Sequence, residues 1–161
     1  MSELVIRNRQ GTRALNIPLL RRITRHLLER EFSVSDYELG LHFVSADEMA
    51  TVNQKFLQHE GSTDVITFDY SDGATVGPLH GEIFICVADA VKQAREFRTP
   101  WQSEVSLYII HGLLHLRGCD DLNPSKRRIM KREENRLVKI VASEFALQHI
   151  ARPRQSPRAN G

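Results

Sequence analysis

The chain has 161 residues, 41% hydrophobic and 26% charged, with a formal net charge of +2. That length suits one domain able to bury about two-thirds of its unfolded surface, and its best apolar run, 107–116, falls short of the ~18 residues that a membrane span needs. Two cysteines are too few for a disulfide framework, and the opening Met-Ser-Glu-Leu-Val-Ile-Arg lacks a secretory layout, so the expectation is a cytoplasmic protein with reduced thiols, no disulfide partner and no membrane.

In chain order, residues 4–8 predict a short strand. Pro18 opens a helix to about residue 31, with Leu19, Leu20, Ile23, Leu27 and Leu28 as its apolar stripe. Residues 37–44 alternate as a strand. Ser45-Ala-Asp-Glu48 has the form of a capping box at the start of a helix reaching about residue 56. Residues 64–70 and 81–87 read as strands around a Gly-containing stretch, 71–79. Their near-continuous apolar character places both centrally in a sheet. Residues 88–97 form a helix, Pro100 a break, and Ser103 the N-cap of a helix over 103–117. Pro124 opens the last helix, to about residue 147, with Ile129, Leu137, Ile140 and Val141 facing inward. No internal repeat is visible. This order implies an α+β fold, a small mixed sheet of about four strands covered by helices. The expected domain is 1–150. The tail 151–161, polar and broken by prolines, is expected to be a disordered basic segment.

Charge is uneven along the chain. Residues 1–31 carry seven basic and three acidic side chains, 32–100 four and eleven, and 101–161 eleven and six. Solvated helix surfaces alone can produce such a pattern. The cluster Lys126, Arg127, Arg128, Lys131 and Arg132, next to the motif described below, makes it a candidate RNA contact. No aromatic-rich stacking platform accompanies it, so sequence-specific base readout is not indicated.

The most informative segment is His111-Gly-Leu-Leu-His115-Leu-Arg-Gly118-Cys-Asp120-Asp121. Two histidines four apart on a helix share one face, their Cβ atoms roughly 5–6 Å apart. Their ring nitrogens can share a tetrahedral ion at about 2.0–2.1 Å. Gly118 follows the last turn, where a left-handed residue can reverse the chain and return Asp120 or Asp121 toward the same point. Three ligands leave a position for water, as a catalytic zinc requires. Such an ion lowers the pKa of bound water and polarises a phosphate oxygen. In His-Glu-x-x-His zinc proteases the residue after the first His is the general base. Here it is Gly112, which disfavours peptide hydrolysis.

This segment resembles the signature of the YbeY family, bacterial metal-dependent endoribonucleases of ribosomal RNA maturation: His-Gly-x-Leu-His-Leu-x-Gly-x-Asp-His, matched through residue 120. Two further blocks resemble family segments, Thr63-Asp-Val-Ile-Thr-Phe68 and Gly81-Glu82-Ile83-Phe84-Ile85. The resemblance covers roughly residues 3–147. It implies a roughly four-stranded sheet with the metal in a cleft beside it. It also implies a zinc-dependent, single-strand-specific endoribonuclease of small-subunit rRNA 3′-end processing and ribosome quality control, with ribosomal RNA and the small ribosomal subunit as partners. By register with the family's third His, Asp121 becomes the third ligand, and Asp120 is left to hold a histidine N–H. A carboxylate there also opens the site to divalent metals other than Zn2+. His111, His115 and Asp121 are thus the expected catalytic and metal residues, with Thr63, Asp64 and Thr67 as polar cleft walls and Glu82 a weaker candidate. The chain also departs from the family at Leu57, where an Arg suited to phosphate binding is usual. Lys55 or His59 are the nearby side chains that could substitute. Two alternatives stay open: a ribosome-associated binding factor with decayed catalysis, and a metal-dependent hydrolase of another substrate.

Overall fold

In the computed structural model, residues 2–57 and 64–153 are described. Thr63, His59 and the tail from residue 154 lie outside them. The elements are β1 (Ser2–Arg9), α1 (Ile17–His26, continued by a π turn, Leu27–Glu31), β2 (Tyr37–Val44), α2 (Ala46–Val52, with a π turn, Asn53–Leu57), β3 (Val65–Asp69), β4 (Leu79–Cys86), α3 (Val87–Phe97), α4 (Trp101–Leu116) and α5 (Pro124–Glu144). A 3-10 turn, Leu147–Ile150, follows. The fold is α+β, with one four-stranded mixed sheet in the order β1-β2-β4-β3. The β1–β2 and β2–β4 pairs are parallel, and β3 runs antiparallel to β4.

The period-2 pattern of β2 explains its central place. Tyr37, Leu39, Leu41 and Phe43 point into the main core and are essentially inaccessible. On α1, Leu20, Ile23, Leu27 and Leu28 are fully buried against that core, each contributing about 1.5–3 kcal/mol. Asn16 caps this helix, its side chain accepting from Leu19 N–H, and Pro18 occupies the first turn, where its missing N–H costs nothing. A smaller cluster of Val44, Met49, Val52, Ile66 and Cys86 lies between α2 and the opposite sheet face.

Helix α4 is apolar on most of its circumference, as a helix enclosed by other elements should be. It crosses the sheet at β4. A Cβ on Gly112 would lie 2.8 Å from Ile83 Cγ2, and one on Gly81 would meet Leu116 at 2.9 Å. These two glycines let the side chains of Ile83 and Leu116 pack directly on the facing backbone. A glutamate at position 112 would collide with the sheet, so the missing protease base has a packing cause.

Four expectations change. Strand β3 is an edge strand and not central; its apolar residues are covered on one face by α2-side packing and on the other by α4. Helix α4 begins at Trp101, and its N-cap is Pro100 instead of Ser103. The Pro100 carbonyl accepts from Ser103 and Glu104 N–H, while Thr99 Oγ1 donates to Glu104 Oε1. Ser45 does cap Glu48 N–H, but Glu48 pairs with Arg9 at 2.8 Å instead of reaching back. Ile129 is 55% exposed, and the inward stripe of α5 is Met130, Glu134, Leu137 and Val141. Past α5, Ala151 bridges Leu15, and Arg152 N–H donates to Ala14. Among the described residues no helix is long and apolar enough to cross a membrane. Cys86 is buried and Cys119 half-buried, both as free thiols.

Candidate metal centre

The last two turns of α4 and the loop after it bring His111, His115 and Asp121 together. Their ligand atoms all lie within 4.8 Å of one another, and the two Nε2 atoms face each other at 3.0 Å. Arg117 closes the helix, and Gly118 follows at φ +92°, the left-handed turn that swings the chain back. A side chain at Gly118 would meet Thr75 Cγ2 at 2.7 Å. Arg117 donates to the carbonyls of Ala74 and Gly77, so the 71–78 loop is tied to the end of α4.

The partner of His111 was not among the residues singled out from sequence. Nδ1 of His111 lies 2.5 Å from Oε1 of Glu134, an acid only 7% exposed on the core stripe of α5. With Nδ1–H donated to that carboxylate, the Nε2 lone pair is directed toward His115 and Asp121. A signal existed: Glu134 occupies an apolar-stripe position between Met130 and Leu137, where an unpaired carboxylate is costly.

His115 is held below the ordinary histidine range, first by burial and then by His111; Asp121 and a hydrogen bond with the Cys119 backbone oppose the shift. The neutral imidazole is the form that ligates a metal. Two imidazoles and one carboxylate make a donor set suited to zinc and similar divalent ions. The residues fit a metal ion.

Asp120 does not reach a histidine. Its Oδ1 accepts from Leu122 N–H at 3.1 Å and its Oδ2 from Lys126 Nζ at 3.3 Å; the first bond leads in lowering its pKa. The histidine N–H goes to Glu134 instead. Asp64 and His111 line one small cavity. Thr67, half-buried, pairs in register with Ile83, the residue packed on Gly112. Glu82 lies on the opposite face of the sheet, bonded to His42 at 3.0 Å and to Tyr70 at 2.7 Å.

The basic residues divide. Arg127, Arg128 and Lys131 line a cavity of about 620 Å³ with His111, Asp121 and Glu134. Lys126 turns away to Asp120. Arg132 is exposed and does not line that cavity.

The model of a protein family described as Endoribonuclease YbeY matches residues 5–142. A Phocaeicola vulgatus protein named Endoribonuclease YbeY is 37% identical over 65% of this chain and 74% of its own length. One of that name from Salinibacter ruber is 31% identical over 86% of this chain and 91% of its own. The solution structure of a Thermotoga maritima protein (TM1509) superposes with a TM-score of 0.66 at 24% identity, covering 96% of this chain and all of the other, a likeness of fold.

Proposed function

The chain belongs to the Endoribonuclease YbeY family, and from that premise we propose that it is a metal-dependent endoribonuclease that cuts single-stranded RNA. The observation that carries this reading is the meeting of a three-donor centre with a cationic wall in one cavity, His111 and Asp121 beside Arg127, Arg128 and Lys131. His111, His115 and Asp121 would hold the ion, zinc by donor type. When bound, a divalent ion supplies an acidified water and a Lewis acid for a phosphate oxygen.

The protein's own residues do the rest. Glu134 keeps His111 in one tautomer and orientation. The guanidinium groups of Arg127 and Arg128 and the Lys131 ammonium bind phosphates and offset the charge that grows on the phosphoryl oxygens. Gly112 leaves α4 without a carboxylate next to His111, so this position supplies no general base. Asp64 is a polar wall of the smaller cavity beside His111, and Thr67 lines neither cavity. The biological role that goes with this chemistry is 3′-end processing of small-subunit ribosomal RNA and ribosome quality control in the cytoplasm, on the small subunit itself.

Salt dependence of RNA affinity tests the cationic wall. Each phosphate contact that is removed should lower the log–log slope by about 0.7 for a single strand. Arg127→Ala, Arg128→Ala and Lys131→Ala should each do so, and Arg132→Ala much less. Equal slopes for all four variants and the native chain would contradict this placement of the strand.

A further inference from the structure

Two cavities flank the His111–Glu134 pair. The larger carries the cationic wall. The smaller, about 240 Å³, is bounded by Asp64, Gln93, Glu104 and Tyr108 together with His111 and Glu134. By liquid volume it has room for about eight waters, the scale of one heterocycle.

Its chemistry is the reverse of its neighbour's. Carboxylates of Asp64, Glu104 and Glu134 border it and repel a phosphate backbone. Tyr108 is 4% exposed, and its hydroxyl has no hydrogen-bond partner among the described residues. A buried hydroxyl without a partner costs about 1–3 kcal/mol, which a ligand acceptor at this position would recover. Burial first, and then the nearby acids, push the phenol's pKa up, so it stays a donor. A cation is a poorer occupant. Among the described residues, the group whose acidic or imidazole ligand atoms all converge within 4.8 Å is His111, His115 and Asp121, not the acids of this cavity. The pocket therefore suits a neutral planar ligand offering one acceptor and several N–H donors. Guanine has O6 beside N1–H and N2–H2. Uracil presents two carbonyls, which would face carboxylates.

We propose that this cavity is a nucleobase pocket, taking the amino-bearing edge of a guanine in the strand that crosses the metal centre. Tyr108 donates to O6, and Asp64 and Glu104 accept from the ring and amino N–H groups. The proposal rests on reading the chain as an RNA-cutting enzyme and adds base preference to it. Recognition is by edge, which explains why a sequence without a stacking platform can still select a base. The pocket is assembled from the residue that precedes β3 and from α3, α4 and α5, so no short motif announces it.

The test uses the full chain loaded with zinc. Guanosine and uridine 5′-monophosphates are titrated by NMR, and cleavage of a uridine-rich RNA is mapped with and without one guanosine. The phosphate is common to both nucleotides, so their affinity ratio isolates the base. Guanosine monophosphate should bind about tenfold tighter, and cuts should cluster beside the guanosine. Tyr108→Phe and Glu104→Gln should each bring the ratio close to one, with metal content per chain measured alongside. Equal affinities, or a ratio that survives both substitutions, would overturn the pocket; a cavity that holds only water gives that result. Guanine preference without RNA cleavage would sink the enzyme reading and leave the pocket standing. Cleavage without guanine preference would do the opposite.

Discussion

Glu134 and His111 sit 23 residues apart in sequence, yet their side chains meet at 2.5 Å, and this contact decides which nitrogen of His111 faces the metal centre. Removing the carboxylate frees the ring to flip or change tautomer. Glu134→Gln keeps the shape, but its amide can present an N–H where an acceptor is needed. Zinc affinity, measured by competition with a chelator, should fall about 10–100-fold in Glu134→Gln, while the far-UV circular dichroism stays native. Unchanged affinity would make Glu134 a purely structural acid.

Metal content separates ligands from neighbours. His111→Ala and His115→Ala should each lose stoichiometric zinc by elemental analysis, because two remaining donors hold the ion poorly. Asp121→His should bind zinc at least as tightly as the native chain, since imidazole suits a borderline-soft ion. Asp120→Ala should keep the metal, because its oxygens are engaged by Leu122 and Lys126. Loss of zinc in Asp120→Ala with retention in Asp121→Ala would reverse the two roles.

Much of this arrangement was readable in advance. The His-x3-His spacing, Gly118 and the acid behind it sit in one continuous segment, where helix geometry alone dictates what comes together. Strand β2 was legible for a similar reason, as its alternation is uninterrupted. Glu134 was not singled out, because its partner is on another helix and it sits in a charged run, 131–136, that reads as a solvated face. Strand β3 misled because an edge strand covered on both faces reads like a central one. Ile129 misled because the adjacent Met130 takes the inward position in line with Leu137 and Val141.

Gly112 sets how closely α4 lies on β4. Gly112→Ala places a Cβ 2.8 Å from Ile83 Cγ2, and overpacking of this kind costs about 1–3 kcal/mol. The denaturation midpoint should fall accordingly with an unchanged m-value. A midpoint equal to native would show that the helix can shift freely, and the packing account of Gly112 would be wrong.

On the opposite face of the sheet, His42 stacks on Phe84 at 4.3 Å and bonds Glu82, which also accepts from Tyr70. Burial, partly opposed by Glu82, lowers the His42 pKa below 6.5. The Tyr70 bond leads in lowering that of Glu82 below 4.5. In both cases the unfolded chain binds protons more readily than the native one, so stability is present at neutral pH and lost on acidification. The His42 share goes as pH drops below 6.5, and the Glu82 share below 4.5. Urea midpoints at pH 7.5, 5.5 and 4 should decline in that order. In His42→Phe the first decline should shrink relative to native; an identical decline would place its source elsewhere.

The central claim is that this chain cuts RNA through the His111–His115–Asp121 centre. The most direct measurement follows cleavage of single-stranded RNA by the native protein as purified, after chelation, and after zinc is restored, with His111→Ala in parallel. The account predicts cleavage that disappears on chelation, returns with the metal, and is absent from the variant at every step. Cleavage that survives chelation, or RNA binding by metal-loaded native protein with no more cleavage than His111→Ala, would contradict it.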